Sequence, residues 1–209
     1  MSDDLQRTDD WYTVRLGKVT ASRVGDVIAK TRTGWSSARQ SYMDQLIAER
    51  VTGQRARAFV SPAMQWGTDN EADALNAYAF YRDEPRPVGF VHHPEIEWTG
   101  ASPDALIGDA GLVEIKCPDT TTHLNTILSD AVPEKHLPQI MWQLACTGRQ
   151  WCDFVSFDPR CPEPMRVFIR RVARDEARIS EIAEAVRQFL SELDARMGKL
   201  EELCARAAA

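Results

Sequence analysis

A chain of 209 residues with 44% hydrophobic and 27% charged residues has an ordinary globular composition and enough length for a full core, so it is read as a single domain over residues 1–209. No apolar run is long enough to span a bilayer, and the first ten residues are polar and acidic, which argues against a membrane span or secretory leader and for a cytoplasmic location. The net charge of −6 excludes a protein that coats nucleic acid by bulk attraction, yet residues 11–60 hold nine Lys or Arg, Arg57 among them, against three acids. One basic face can therefore coexist with an acidic remainder. Cys117, Cys146, Cys152, Cys161 and Cys204 form no CxxC pair, and nothing before Cys117 could help hold an iron–sulfur cluster; buried free thiols in a reducing compartment account for them.

Trp11, Val14 and Leu16 after Asp9-Asp10 predict a short helix capped by an aspartate, with Arg15 near its end and Gly17 breaking it. Thr20-Ala21-Ser22 opens a second helical run through Val24, Val27 and Ile28, which puts Ser22 in a first turn whose free N–H groups attract anions. Ser22 with a nearby arginine would make a phosphate pocket, although a helix-capping serine beside a surface arginine has the same pattern. Residues 30–37 read as a polar loop with Arg32 and an exposed Trp35, able to touch a nucleic-acid backbone or groove, or simply a surface loop. Tyr42, Leu46, Ile47 and Val51 mark an amphipathic helix over 41–51, ended by Gly53.

Ser61-Pro62 starts a long helix reaching about residue 81. Met64, Gly67, Glu71, Leu75 and Tyr78 recur along it at three- and four-residue steps, so Glu71 falls on the inward stripe, where an acid is costly unless paired or bound to a metal. Pro85 and Pro87 mark a loop, and residues 88–93 and 95–100 a hairpin leading into SPDALIGDAGLVEIKCP at 102–118. On a strand through 112–116, Val113 and Ile115 face one way and Glu114 and Lys116 the other. With Leu106-Ile107 as the neighbouring strand and the turn at 108–111, Asp104 returns alongside Glu114. Two carboxylates converging beside one lysine repel each other unless a cation sits between them, and hard oxygen ligands favour Mg²⁺ or Mn²⁺. That is a phosphoryl-transfer metal site, or else an amphipathic strand with a solvated face.

Residues 120–128 and 138–146 are two further helices, the second carrying Gln139 and Gln143 on one face. Strands at 151–157 and 165–172 flank a turn-rich break, and Ile179, Ile182, Val186, Leu190, Leu193, Leu200 and Leu203 predict a packing helix over 175–207. This order of elements predicts an α/β fold with a mixed central β-sheet flanked by helices.

The segments WYTVRLGKVTAS, IAKTRTG, MQWGTDNEADAL, SPDAL, EIKCP, HLPQIMWQL and FDPR stand in the order and near the spacing found in the phage lambda exonuclease family. The chain resembles these viral-type alkaline exonucleases, YqaJ-like recombinases of the PD-(D/E)xK superfamily, over residues 11 to about 160. The resemblance implies a restriction-endonuclease-like core over 11–160, with 174–207 as a C-terminal packing helix. It also implies a Mg²⁺-dependent enzyme, with Mn²⁺ able to substitute, that processively degrades the 5′ strand of double-stranded DNA from its end. The remaining 3′ single strand goes to an annealing protein of a phage recombination pair. By position, Asp104, Glu114, Glu71 and the Ile115 carbonyl would hold a two-ion centre, Lys116 would activate water, and Gln139 would stand nearby. The Lys116 pKa would fall beside such cations.

The resemblance further implies that Arg15, Ser22 and Ser102 grip a 5′-phosphate, and that Arg32 and Met64 touch the minor groove and wedge the terminal base pair. A ring-shaped homotrimer around DNA is implied as well. His136 stands where the lambda enzyme has a tyrosine, and residues after Arg160 diverge. A restriction-like or structure-specific endonuclease would keep the same acids and lysine, and a catalytically inactive DNA-end-binding module would keep the end grip.

Overall fold

The computed structural model describes residues 5–56 and 60–208, so Arg57 of the basic stretch lies outside the described residues. Helix α1 (Asp9–Arg15) is capped by Thr8, whose Oγ1 accepts the Trp11 N–H at 3.2 Å. Asp9 and Asp10 are therefore first-turn residues favoured by the helix dipole rather than caps. Strand β1 (Val19–Thr20) and a 3-10 turn (Ala21–Arg23) precede α2 (Val24–Ile28), so Ser22 sits in the tight turn and not in the α-helix proper. The polar loop closes as a small hairpin of β2 (Lys30–Thr31) and β3 (Gly34–Trp35), with the cations of Lys30 and Arg39 over the Trp35 ring.

Ser36 caps α3 (Ser37–Thr52), and Gly53 ends it at φ 65°, a left-handed conformation open to glycine at no steric cost. The helix starts earlier than its apolar pattern suggests because the cap, not the first apolar residue, sets the start. Its inward stripe is Tyr42, Met43, Leu46 and Glu49, and Val51 is 63% exposed. Ser61 caps α4 (Pro62–Tyr81), with proline in the first turn as expected. Pro85 lies not in a loop but in β4 (Pro85–Arg86), an edge strand, where a missing N–H costs nothing. Next come β5 (Val91–His92), β6 (Thr99–Ala101), β7 (Ala105–Ile107) and β8 (Gly111–Lys116). They are followed by α5 (Thr120–Ser129), α6 (Leu137–Thr147), β9 (Trp151–Phe157), β10 (Val167–Ala173) and α7 (Glu176–Ala207).

The main sheet runs β10-β9-β8-β7-β4, with β8 and β9 parallel and the other pairs antiparallel, so it is mixed. The β8-to-β9 crossover is made by α5 and α6, which places both helices beside the C-terminal end of β8. On one sheet face Val113, Ile115, Val155 and Phe157 pack on Ala74 and Tyr78 of α4. On the other, Leu112, Cys152 and Phe154 join α2, α3, α6 and α7 in the larger core. Gly111 opens β8 because a Cβ there would stand 2.1 Å from the Trp151 ring. A second sheet, β1-β6-β5, holds the 3-10 turn and Ser102 in register through the parallel pairs Val19↔Thr99 and Thr20↔Gly100. Beyond Leu193, α7 loses its buried stripe, and Leu200 and Leu203 are about half exposed, unlike the packing residues before them. Four cysteines are buried free thiols and Cys204 is exposed. Among the described residues no helix is long and apolar enough to cross a membrane.

Asp158 fastens the end of β9 to α5. Its buried carboxylate accepts from Thr120 Oγ1 at 2.6 Å and from Arg160 through the backbone N–H at 3.0 Å, Nε at 2.8 Å and Nη2 at 2.9 Å. These bonds, Arg160's first, hold the Asp158 pKa down at about 2 despite burial. A depressed carboxylate contributes stability that is present above its ordinary range near pH 4 and is lost as pH falls towards 2. Arg160 is half exposed, so the contribution is discounted to about 1–2 kcal/mol. Urea unfolding of Asp158→Asn at pH 7 and pH 3 is expected to show a smaller loss on acidification than the parent; an identical loss would remove Asp158 from the acid transition.

Candidate active site

The β7–β8 hairpin registers Ala105 opposite Val113, which sets Asp104 opposite Glu114. Asp104 Oδ2 accepts the Ile115 N–H at 2.5 Å. The alternation along β8 sends Val113 and Ile115 towards α4 and leaves Glu114 and Lys116 on the α6 side. Glu114 is 2% exposed, and its carboxylate is held from three directions. Its Oε1 accepts Lys116 Nζ at 2.5 Å and Gln139 Nε2 at 2.6 Å, and its Oε2 accepts Gln143 Nε2 at 2.5 Å. The two glutamines stand one turn apart on α6, so one helix face supplies both donors. Glu71, reaching in from α4, accepts Arg7 Nη2 at 2.5 Å.

Charge balance defines what this cluster can do. Asp104 is held well above the usual carboxylate range, first by burial and then by the negative charge of Glu114 and Glu71. Burial alone would lower the Lys116 pKa, but Glu114 and Asp104 outweigh it and raise the ammonium above its ordinary value. Among the described residues no three His, Cys, Asp or Glu side chains close into a preformed metal cage, because each acid is turned onto a protein donor. The donor chemistry nonetheless suits a hard divalent cation. Three carboxylates crowd one lysine, their mutual repulsion adding to burial in raising the Asp104 pKa, and a cation among their oxygens relieves that repulsion.

A cavity of about 520 Å³ opens over this centre and is lined by Lys116, Glu71, Ser22, Met64, Lys135 and His136. The His136 ring stacks on Phe154 with centroids 5.4 Å apart. Burial and then the neighbouring Lys116 and Lys135 lower its pKa to about 4, so the imidazole is neutral at ordinary pH. A second cavity of about 280 Å³ adjoins the first, with Ser22 and Met64 lining both. Arg15, in its lining, donates through Nη1 to Ser102 Oγ at 2.9 Å and its guanidinium lies 4.0 Å over the Trp11 ring, while Trp11 Nε1 donates to the same hydroxyl at 3.0 Å. Thr20 Oγ1 and Ser22 Oγ are 3.3 Å apart. Burial brings the Arg15 pKa down to about 10, leaving it cationic.

The fold thus brings Asp104, Glu114, Lys116, Ile115, Gln139 and Glu71 to one place and Arg15, Ser22 and Ser102 to the next, with Met64 between. Arg32 joins neither; it lies exposed in the turn of the β2–β3 hairpin. Arg7 and Trp11 also belong to these cavities, although the sequence drew no attention to them as functional. The proximity of Trp11 to Arg15 on one short helix was a usable signal; Arg7 had none, because its partner is 64 residues away.

A mixed sheet clasped by α4 and α6, with carboxylates and a lysine at the end of its β-hairpin, defines a restriction-endonuclease-like nuclease fold. Residues 10–150 match the YqaJ-like viral recombinase domain, and the chain belongs to that family. It is similar to LHK-Exo, an alkaline exonuclease from Laribacter hongkongensis, with 45% identity and a TM-score of 0.90 over 96% of this chain and 100% of that one. The same enzyme has also been solved in complex with dAMP. A phage related exonuclease from Haemophilus somnus 129PT shares the fold at 16% identity, with a TM-score of 0.71 over 88% of this chain and 96% of that one. No curated protein sequence matches the chain at a significant level.

Proposed function

We propose that the chain is a Mg²⁺-dependent exonuclease of one nuclease domain. It takes double-stranded DNA at a 5′-phosphorylated end, removes one strand processively from 5′ to 3′ and leaves a 3′ single strand. The observation that carries this reading is the adjacency of the two cavities: a cationic pocket opens beside the carboxylate–lysine centre across Ser22 and Met64. A terminal phosphate held by Arg15 and Ser102 brings the next phosphodiester to Lys116, so each cut releases a short 5′-phosphorylated product. LHK-Exo in complex with dAMP is a relative holding a molecule of that kind.

The residues divide the chemistry between them. Asp104, Glu114, Glu71 and the Ile115 carbonyl would hold Mg²⁺, or Mn²⁺ in its place, which when bound supplies charge stabilisation at the phosphoryl oxygens and acidifies water. Lys116, hydrogen-bonded to Glu114, orients the attacking water and offsets charge on the phosphate. Gln139 and Gln143 hold the Glu114 carboxylate in one orientation. Met64, 56% exposed and lining both cavities, would wedge the last base pair, and Arg32 would meet the duplex further out. A homotrimeric ring would hold DNA against the basic segment despite the net negative charge. The single strand left behind would pass to an annealing protein of a phage recombination pair.

The test uses linear duplex with a phosphate on one 5′ end and a hydroxyl on the other, beside a closed circle. Mononucleotide release from the phosphorylated end with the circle intact is the expected result; cutting of the circle would establish a restriction-like endonuclease instead. Arg15→Ala is expected to lower the preference for phosphate over hydroxyl ends by about 10–100-fold, the value of hydrogen bonds to a charged group. Equal losses on both ends would sink the end-grip role of Arg15.

A further inference from the structure

The cavity around Arg15 holds more positive charge than one arginine explains. Arg15, Lys18, Arg23 and Arg55 line it, and Glu49 is the only acid lining it among the described residues. Arg23 is already paired, with Nε 2.5 Å from Asp26 Oδ2. Glu49 offsets one of these charges but is paired with none of the cations, since its oxygens are taken by backbone and amide groups. Its Oε2 accepts the Gly17 N–H at 3.0 Å, and its Oε1 accepts Gln45 Nε2 at 2.9 Å and the Ala56 N–H at 3.3 Å.

Those bonds give Arg55 a fixed place. The buried Glu49 carboxylate ties the chain after α3 to the chain after α1, so the backbone next to Arg55 is anchored beside the helix that carries Arg15. The Arg55 guanidinium then lies 3.9 Å over the ring of Tyr12, three residues before Arg15 on α1. A planar cation stacked on an aromatic ring loses little further freedom when it binds an anion. Arg15 and Arg55 are close enough for the second to lower the basicity of the first, after the larger effect of burial. Two guanidinium groups facing one pocket repel each other, and an anion between them turns that repulsion into attraction.

We infer that Arg55 is a second guanidinium for the DNA end, closing over a phosphate seated on Arg15 and setting how strongly phosphorylated ends are preferred to hydroxyl ends. The inference rests on the 5′-phosphate reading of this cavity. A phosphate monoester carries about −1.5 to −2 at pH 7 against a single charge on an internal diester, so a two-arginine clamp rewards an end more than an interior position. Arg55 is exposed at the mouth, where it can meet the incoming end before the part-buried Arg15 does.

Equilibrium binding tests this without hydrolysis. Blunt duplexes differing only in a 5′-phosphate or 5′-hydroxyl are titrated in EDTA with the parent, Arg55→Ala and Arg55→Lys, over a series of salt concentrations. The parent is expected to favour the phosphate. Arg55→Ala should lose about tenfold of that preference, with a salt slope shallower by about 0.9, and Arg55→Lys should recover part of it. An unchanged preference in Arg55→Ala, or equal weakening on both ends, overturns the role of Arg55 while leaving the pocket intact. No preference in the parent overturns the pocket itself, and the inference with it.

Discussion

Lys116→Ala is expected to lower the single-turnover cleavage rate by about 10²–10⁴-fold, the range for loss of a positioned proton-handling or charge-stabilising group. Among the described residues its Nζ is the only ammonium bonded to the carboxylate cluster, 2.5 Å from Glu114 Oε1, and it lines the cavity where a phosphodiester would lie. The fold should survive, because Glu114 keeps the amide donors of Gln139 and Gln143 and Lys116 itself is part-exposed. Lys116→Arg should rescue little, since a planar fork cannot take the place of a compact ammonium with three rotatable donors. Rapid-quench kinetics on a 5′-phosphorylated duplex, with binding measured separately in EDTA, would separate chemistry from affinity. A loss under tenfold would show that Lys116 is no more than the partner of Glu114.

The second large effect is on stability. Asp153 is 1% exposed in the middle of β9 and accepts the buried Tyr78 hydroxyl at 2.9 Å. It also accepts Arg171 Nε at 2.8 Å and Nη2 at 2.9 Å, while that guanidinium stacks 3.4 Å from the Trp151 ring. This one carboxylate joins β9, β10 and α4. Asp153→Ala leaves the Tyr78 hydroxyl without its partner inside the core, whereas Arg171, half exposed, can turn to water. The cost is therefore placed at ~2–4 kcal/mol, below that of stranding a fully buried charge. For a chain of this length that lowers Tm by roughly 4–16 °C. Tyr78→Phe, which removes the donor and keeps the ring, should cost ~1 kcal/mol. Tyr78 and Glu71 lie seven residues apart on α4, so a loosened Tyr78 also shifts the acid at the active site. Denaturant unfolding of the two variants, with cleavage assayed well below the lowered Tm, would show both effects. Equal stability of Asp153→Ala and the parent would rule out the clamp.

What the sequence determined by itself is local. Period-two alternation in LVEIK assigned Glu114 and Lys116 to one face, and a glycine-bounded turn brought Asp104 back beside them within one hairpin. The i, i+4 spacing of Gln139 and Gln143 put them on one helix face, and Ser61-Pro62 and Gly53 marked helix ends through backbone chemistry that acts over a single turn. Periodicity says which face a residue occupies but not what lies opposite. Only the tertiary structure decided that the α6 glutamines grip Glu114, that Ser102 meets an arginine 87 residues earlier, and that Arg7 pairs with Glu71. It also decided that Val51, Leu200 and Leu203 face solvent, because an apolar residue is buried only where another element arrives to cover it. Strand β1, two residues long, carries too few alternations to be read, yet its parallel pairing with the distant β6 makes it part of the frame on which the arginine pocket stands.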